Sequence, residues 1–467
     1  MLLHVMSGTE AGTLCKDAQN SELGTQNCFL KQETRLKRSM SASPDRPALP
    51  LSEANLRIGR LSRQPAGTCG GPEDLDRPLD PGFEISGDER AHKIVLKVGG
   101  VEVSWCRIVD FRQQIGSAVV RMGGMADVGT HDEHRFQGHG RRVMVNSLRW
   151  MRGAGYDVAM LYGIPGFYPK FGYAEAFPNV THSLAVRDAE LARPGKFRFV
   201  DFAPTHLDAV LKMYHANNAG RTGVTLRDPK KWAPFRKGVA WGPRPVPKVA
   251  LDSRGRPAAY YAYDAAQHAE PVVLEVGCAT PAVFGSLLRE AAGVAWARRL
   301  ERVKFLLPED HAFVEFCRQF GLLKEALYRR DGGAMVRMIN VPSALGKIAP
   351  VLAGRLAGER PGSAWLRRGK SGSLTIRTNL DDVTLSWRGG KLTVGPASRG
   401  SAVATPACLV GGSVRLPQWA LAQLLYGYRD VETLRVSGAV SGSKDALAIL
   451  AAMFPQGPHY HYRMDTF

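Results

Sequence analysis

The residues best suited to chemistry lie in two short stretches, VGTHDEHRFQGHGRRVM (Val128–Met144) and GIPGFYPKFGYAEAF (Gly163–Phe177). In the first, Arg135, Gly138 and Gly140 stand in RxxGxG spacing ahead of a helix whose Met144, Leu148 and Met151 recur at helical intervals. Glycines let backbone N–H groups approach an oxyanion closely, and a helix N-terminus favours negative charge, so a pyrophosphate fits this loop. No Gly-Lys-Ser/Thr follows and the spacing lacks GxGxxG, which excludes the two commonest phosphate fingerprints. Taken alone, the pattern describes a tight strand-to-helix turn equally well. In the second stretch, Tyr168 carries a phenol of ordinary pKa about 10, protonated at neutral pH and able to act as a general acid. The alternative is a core tyrosine packed beside Phe167 and Phe171. His131, Asp132, His134 and His139 crowd the phosphate loop, but their spacing matches no standard ligand set, and no metal is expected.

The elements that must hold these residues follow from the apolar periodicity. The runs KIVLKV, VEVSWCRIV and SAVVRMG, separated by Gly-Gly or polar turns, predict an antiparallel meander beginning near His92. A strand over Met125–Thr130, a helix to about Arg152 and a strand over Asp157–Tyr162 then give an α/β order. A second unit opens near Lys196 with FRFVD and a helix for which Thr205 is a plausible cap. Its PVVLEVGCAT strand, AVFGSLLREAAGVAWARR helix and VKFLL strand repeat the plan of the first unit. Its loop, CATPAVFGSLL, has neither paired glycines nor a basic entrance. A third unit contains SLTIRTN, VTLSW and KLTVG, the last two joined by the Arg388-Gly389-Gly390 turn, then two apolar helices and the ending HYHYRMDTF. The expected division is a poorly ordered 1–88, then domains at 89–195, 196–344 and 345–467.

With 62 Lys and Arg against 43 Asp and Glu, the chain carries +19, which suits nucleic acid, anionic lipid or a phosphorylated cofactor. The densest basic stretch, Arg221–Arg256, is interleaved with Trp232, Phe235 and Trp241 but broken by prolines. It reads as a solvated basic loop, and nucleic acid is not the expected partner. No apolar run approaches the roughly 20 residues of a bilayer span. The opening residues lack the form of a secretion signal, and the seven scattered cysteines contain no CxxC pair, so a cytoplasmic protein with reduced thiols is expected.

RxxGxG followed by FYxxFGY resembles the GCN5-related N-acetyltransferase superfamily. The resemblance implies acetyl-CoA as cosubstrate, with pantetheine pairing to the splayed strand end at Val128, Gly129 and Thr130. It places the pyrophosphate on the amides of Arg135, Phe136, Gln137, Gly138, His139, Gly140 and Arg141, and Tyr168 beside the sulfur as general acid. From about Ala91 to Phe467 the order of units is similar to the Eis family: an acetyltransferase fold, a degenerate second copy, the MINVPSAL joint and a sterol-carrier-like domain, an α/β (α+β) architecture. That resemblance implies a homo-hexamer and a primary amine acceptor, either an aminoglycoside-like polyamine or a lysine. It also implies direct transfer in a ternary complex, with the terminal carboxylate of Phe467 as general base. Asp127 is a second candidate base, with a solvent-facing structural carboxylate as its other reading. The second copy is not expected to bind coenzyme A. Residues 52–90 are too rich in Gly and Pro to supply the family's first strand and two lid helices. The C-terminal domain admits another function class, a lipid or sterol carrier with a vestigial acetyltransferase domain, against a scaffold that presents the terminus.

Overall fold

Alternating apolar residues build a long meander in the computed structural model, which describes residues 75–235, 244–265, 272–358, 371–397 and 410–467. Strands β1 (Phe83–Gly87), β2 (Ala91–Val98), β3 (Val101–Ile115) and β4 (Ala118–Thr130) pair in sequence, all antiparallel. Helix α1 (His139–Gly153) crosses over to β5 (Val158–Gly163), which lies parallel to β4. The short β6 (Ala174–Glu175) and the distant β14 (Gly333–Met338) complete a seven-stranded sheet of order β1-β2-β3-β4-β5-β14-β6.

Two expectations need correction here. The ordered chain begins before residue 88, because Phe83–Gly87 pairs with β2 and Leu75 is buried. A five-residue edge strand with one partner leaves little periodicity to detect. Residues 1–74 lie outside the described residues. The run SAVVRMG and the strand over Met125–Thr130, expected as separate strands, are one; β4 runs straight through Gly123-Gly124. Gly123 is required because a Cβ there would lie 2.2 Å from Met151 Cε, on the face covered by α1. Gly124 meets a different partner on the opposite face.

The second sheet comprises β7 (Asn179–Ala185), β8 (Arg198–Asp201), β9 (Pro245–Leu251), β10 (Pro257–Asp264), β11 (Val272–Cys278), β12 (Arg302–Phe305) and β13 (Leu323–Leu327). Their order is β13-β7-β12-β11-β10-β9-β8. Helices α2 (Leu207–Asn217) and α3 (Phe284–Ala297) belong to this lobe. A 3-10 turn over Pro204–His206 leads into α2, so Thr205 lies inside that turn instead of capping the helix. The first two sheets exchange strands. β7 precedes residue 195 yet pairs with β12 and β13, while β14 follows residue 196 yet pairs with β5 and β6.

Helix α4 (Val341–Ala357), capped by Asn340 accepting from Ser343 N at 3.0 Å, leads to the third unit. Its strands are β15 (Ser371–Arg377), β16 (Asp382–Arg388), β17 (Lys391–Pro396), β18 (Val410–Arg415) and β19 (Ser441–Gly442), with helices α5 (Gln418–Leu425) and α6 (Lys444–Met453). The hairpin at Gly389 and Gly390 forms as expected, both at positive φ. One apolar core runs from Val120, Met122, Val158 and Met160 of the first sheet through Leu345, Ile348 and Leu352 of α4 to Leu374, Ile376 and Leu385. The opposite face of the first sheet packs Ile108 and Leu161 against Val143, Leu148 and Met151 of α1. Each such buried side chain contributes roughly 1.5–3 kcal/mol.

Candidate active site

The first sheet opens at one place. β4 and β5 pair from Met122↔Val158 only as far as Gly124↔Met160, whereas β4 stays paired to β3 as far as Thr130. Asp157 clamps the closed end: it accepts from Arg121 N, Ser343 Oγ and Lys347 Nζ, each at 2.6 Å. Beyond Gly124 the strands part, so Met125–Thr130 carries a backbone edge not paired with β5. A bulge adds to the divergence, with Trp105 opposite Gly129 but Arg107 opposite Ala126. Asp127 sits in this bulge at φ 48° and pairs with Arg107 at 2.9 Å. Gly129 lies under Trp105, whose ring a Cβ would meet at 2.5 Å. Ser104 Oγ donates to the Gly129 carbonyl at 2.7 Å and lies 2.9 Å from Thr130 Oγ1. Val128 packs with the cluster on the α1 face.

The loop that follows leads into the N-terminus of α1. Arg135 pairs with Asp132 at 2.8 Å, Phe136 has φ 62° and a fully exposed ring, and Gly138 is the N-cap at φ 80°. Gly138 offers no side-chain acceptor and the first turn holds no acid. His139, Arg141 and Arg142 stand there instead, where the helix dipole disfavours cations unless an anion is bound. Burial, and then the neighbouring Arg142 and His134, hold the His139 pKa below the ordinary imidazole value. The His139 ring nitrogen lies 3.3 Å from Gln137 Oε1, and His131 packs on Trp105 at 4.8 Å between centroids.

Tyr168 begins a 3-10 turn, Tyr168–Phe171, that Gly172 ends at φ 74°. Its ring lies against Gly163, where a Cβ would be 2.9 Å away, and it packs with the α1-side cluster. Burial pushes the Tyr168 phenol up to about 12. The C-terminal domain fixes this turn. Gln418 at the start of α5 donates to the Gly172 carbonyl at 2.7 Å and accepts from Met338 N at 2.9 Å, and buried Arg337 donates to the Phe171 carbonyl.

Phe467 comes to the same opening from the other face. Its buried ring lies 5.4 Å from Phe111 and 5.8 Å from Tyr162 between centroids. Three of its atoms would be 2.8 Å from a Cβ on Gly124. Gly124 is therefore bare for the terminal ring, at the last residue before the strands part. Alternation along the strands sets Gly123 and Gly163 on the α1 face and Gly124 and Tyr162 on the opposite one. Tyr168 and Phe467 thus approach one gap from its two sides. Neither the glycine pair nor Tyr162 stood out in the sequence, although Gly-Gly inside an otherwise continuous strand pattern is a signal of close approach.

Among the described residues the second lobe has no such loop ahead of α3. Thr280 itself caps the turn before α3, accepting from Ala282 N. The chain at Arg193–Gly195 covers the start of the helix: a Cβ on Gly285 would lie 2.0 Å from the Arg193 carbonyl, and Ser286 Oγ accepts from Gly195 N at 2.8 Å. The basic stretch expected to be a solvated loop also belongs inside this lobe in part. Arg221 and Arg227 are buried and pair with Asp310, and with Glu275 and Asp465. Their partners are distant in sequence, so no local pattern marks them. Residues 236–243, with Trp241, lie outside the described residues.

Comparison with known proteins agrees with this geometry. Residues 86–176 match the family model of the acetyltransferase (GNAT) domain, and residues 364–462 match that of the sterol carrier protein domain. The chain thus carries a GCN5-related N-acetyltransferase domain and a sterol-carrier domain, which makes it an N-acetyltransferase by class. Among solved structures, the chain is similar to a probable N-acyltransferase from Enterococcus faecalis V583, at 16% identity and TM-score 0.63 over 81% of this chain and 89% of that one. It is similar to a GCN5-related N-acetyltransferase from Kribbella flavida, at 19% and 0.58 over 80% and 88%. Eis1 from Mycobacterium abscessus is similar at 18% and 0.54 over 80% and 90%. At these identities the likeness to solved structures is one of fold. No curated protein is significantly similar to the chain. Among the described residues, no helix is long and apolar enough to cross a membrane.

Proposed function

We propose that the enzyme transfers acetyl from acetyl-CoA to a primary amine by direct attack across the gap between β4 and β5. The observation that carries this reading is the placement of Tyr168 and Phe467 on opposite faces of that gap. The residues present fit the cosubstrate. The edge at Val128, Gly129 and Thr130 suits the amide-bearing pantetheine arm, and the loop and first turn of α1, from Arg135 to Arg141, suit its pyrophosphate. Acetyl-CoA supplies the activated thioester. Tyr168 protonates the departing thiolate, and the Phe467 carboxylate receives the proton of the attacking amine. No covalent intermediate on the enzyme is required. The sterol-carrier domain acts as a scaffold: its interior is filled by Leu374, Ile376, Leu421, Leu425, Ile449 and Leu450, and α5 holds the Tyr168 turn. An acceptor panel of aminoglycoside-like polyamines and lysine peptides, assayed by free-thiol release from acetyl-CoA, tests the activity and identifies the amine. Thiol release with no acceptor would sink it, as would fatty-acid or sterol binding with no transfer.

Two further outcomes follow from the geometry. Coenzyme A should bind once per chain, because the second helix start is covered by the chain itself. Gly138→Asp places a side chain at φ 80° and an anion at the helix N-terminus, and should weaken binding at least about tenfold. Titration calorimetry showing two sites, or an unchanged affinity, would contradict this. Gly124→Ala drives a methyl into the Phe467 ring and should lower turnover about tenfold or more while acetyl-CoA affinity holds. Steady-state kinetics with parallel calorimetry reads both.

A further inference from the structure

β11 and β12 repeat in the second sheet the parting seen between β4 and β5. Their parallel pairing covers only Val272↔Lys304 and Val273↔Phe305, while β11 stays paired to β10 up to Cys278. Here the chain's own C-terminal tail reaches the opening. Tyr460 donates its phenol proton to the carbonyl of Leu306, just past β12, at 2.6 Å. Glu275, on the unpaired part of β11, accepts from both terminal nitrogens of Arg227 at 2.6 Å. Arg227 turns its remaining donors to Asp465, at 2.9 Å from Nε and 3.2 Å from Nη2. Tyr260 donates to Glu275 at 2.7 Å and Tyr214 to Asp465 at 3.3 Å, and the guanidinium stacks 3.8 Å from the Tyr214 ring centre and 4.4 Å from that of Trp232. The three ionic side chains are at most 1% exposed.

We propose that the second lobe is the holder of the catalytic terminus, with Arg227 as the positioning residue that fixes Asp465 and thereby aims Phe467. The inference rests on the reading that the Phe467 carboxylate takes the amine proton. Chain ends fray unless tied down. Two residues beyond Asp465 reach at most about 7 Å, so a clamp there confines the terminal carboxylate, and the ring over Gly124 supplies the second fixed point. A buried ion cluster is a poor source of net stability, because desolvation offsets its attraction, but the planar fork of arginine imposes one geometry on both carboxylates. That is what a positioning device needs and a greasy anchor lacks. The second lobe, whose α3 start is covered by the chain itself, thereby has a task in the chemistry of the first.

The test uses the full chain and two readouts. Asp465→Asn removes the charge without changing shape; Arg227→Lys keeps the charge and loses the fork. Release of Phe467 by a carboxypeptidase, followed by mass spectrometry, reports the placement of the terminus. Turnover and the KM for acetyl-CoA report its chemistry. Both variants should release Phe467 at least about tenfold faster, and turnover should fall by about tenfold or more with KM for acetyl-CoA little changed. Leu287→Ala, in the apolar core of the same lobe and away from the tail, should lower stability yet leave Phe467 protected. Continued protection in Asp465→Asn, or equal release in Leu287→Ala, overturns the inference. Faster release with unchanged turnover upholds the anchor and removes the terminal carboxylate from the reaction instead.

Discussion

Replacing Tyr168 with Phe should reduce turnover by about 10²–10⁴-fold while acetyl-CoA affinity barely moves, because the ring stays and only the proton donor is lost. The phenol ring is half-buried against Gly163 and borders the same apolar cluster as Val128, the strand end proposed to hold the pantetheine arm. A thiolate expelled there has little water to protonate it. Burial raises the phenol to about 12, which sets the sign of the pH dependence. The donor form persists below that value, so Tyr168 adds no alkaline fall in rate between about pH 6 and 10. Any rise over that range comes from the acceptor amine losing its proton. Steady-state rates across that range, with calorimetric affinity for acetyl-CoA at one pH, check both statements. A near-normal rate with a lowered thermal midpoint would return Tyr168 to the role of a core tyrosine.

The parts of the site legible in the sequence are those made by neighbours along the chain. RxxGxG before a helix and FYxxFGY after the next strand each put their residues into one turn, and local chemistry fixes a turn. One strand reads as two, parted at Gly123-Gly124, because the purpose of that pair lies elsewhere: Met151 on one face and Phe467 on the other, the latter brought in from the far end of the chain. The exchange of β7 and β14 between the sheets was hidden for the same reason, since strand periodicity says which face is apolar and nothing about which edge is joined. Arg227 falls in the stretch expected to be a solvated loop, and no spacing joins it to Glu275 and Asp465; only the fold removes the three from water together. Gln418, at the start of α5, could not be linked to Tyr168 by any spacing rule, although it holds the turn on which the proposed acid depends.

Adding one glycine after Phe467 should lower turnover at least about 10²-fold while leaving the thermal midpoint nearly unchanged. The extension moves the carboxylate by up to about 3.6 Å and keeps every native side chain. A misplacement of even about 1 Å at a reacting group costs on the order of 10²-fold. Stability should hold because the ring can remain over Gly124, and Asp465 can keep its place on Arg227. An α-carboxylate of ordinary pKa near 3.5 is too weak a base to remove the amine proton in advance. On the proposed mechanism it instead accepts the proton as the N–C bond forms, when the nitrogen has become strongly acidic, so its position matters more than its basicity. Amidation of the native terminus separates the two contributions, since it preserves position and removes charge; the same loss of turnover is expected. Deleting Phe467 should cost activity and stability together, because the ring leaves a gap against Phe111 and Tyr162. Full activity in the extended enzyme would take Phe467 out of the mechanism. Asp127 would then be the next carboxylate to test; its half-exposure and its pairing with Arg107 are the reasons the proposal puts the terminus first.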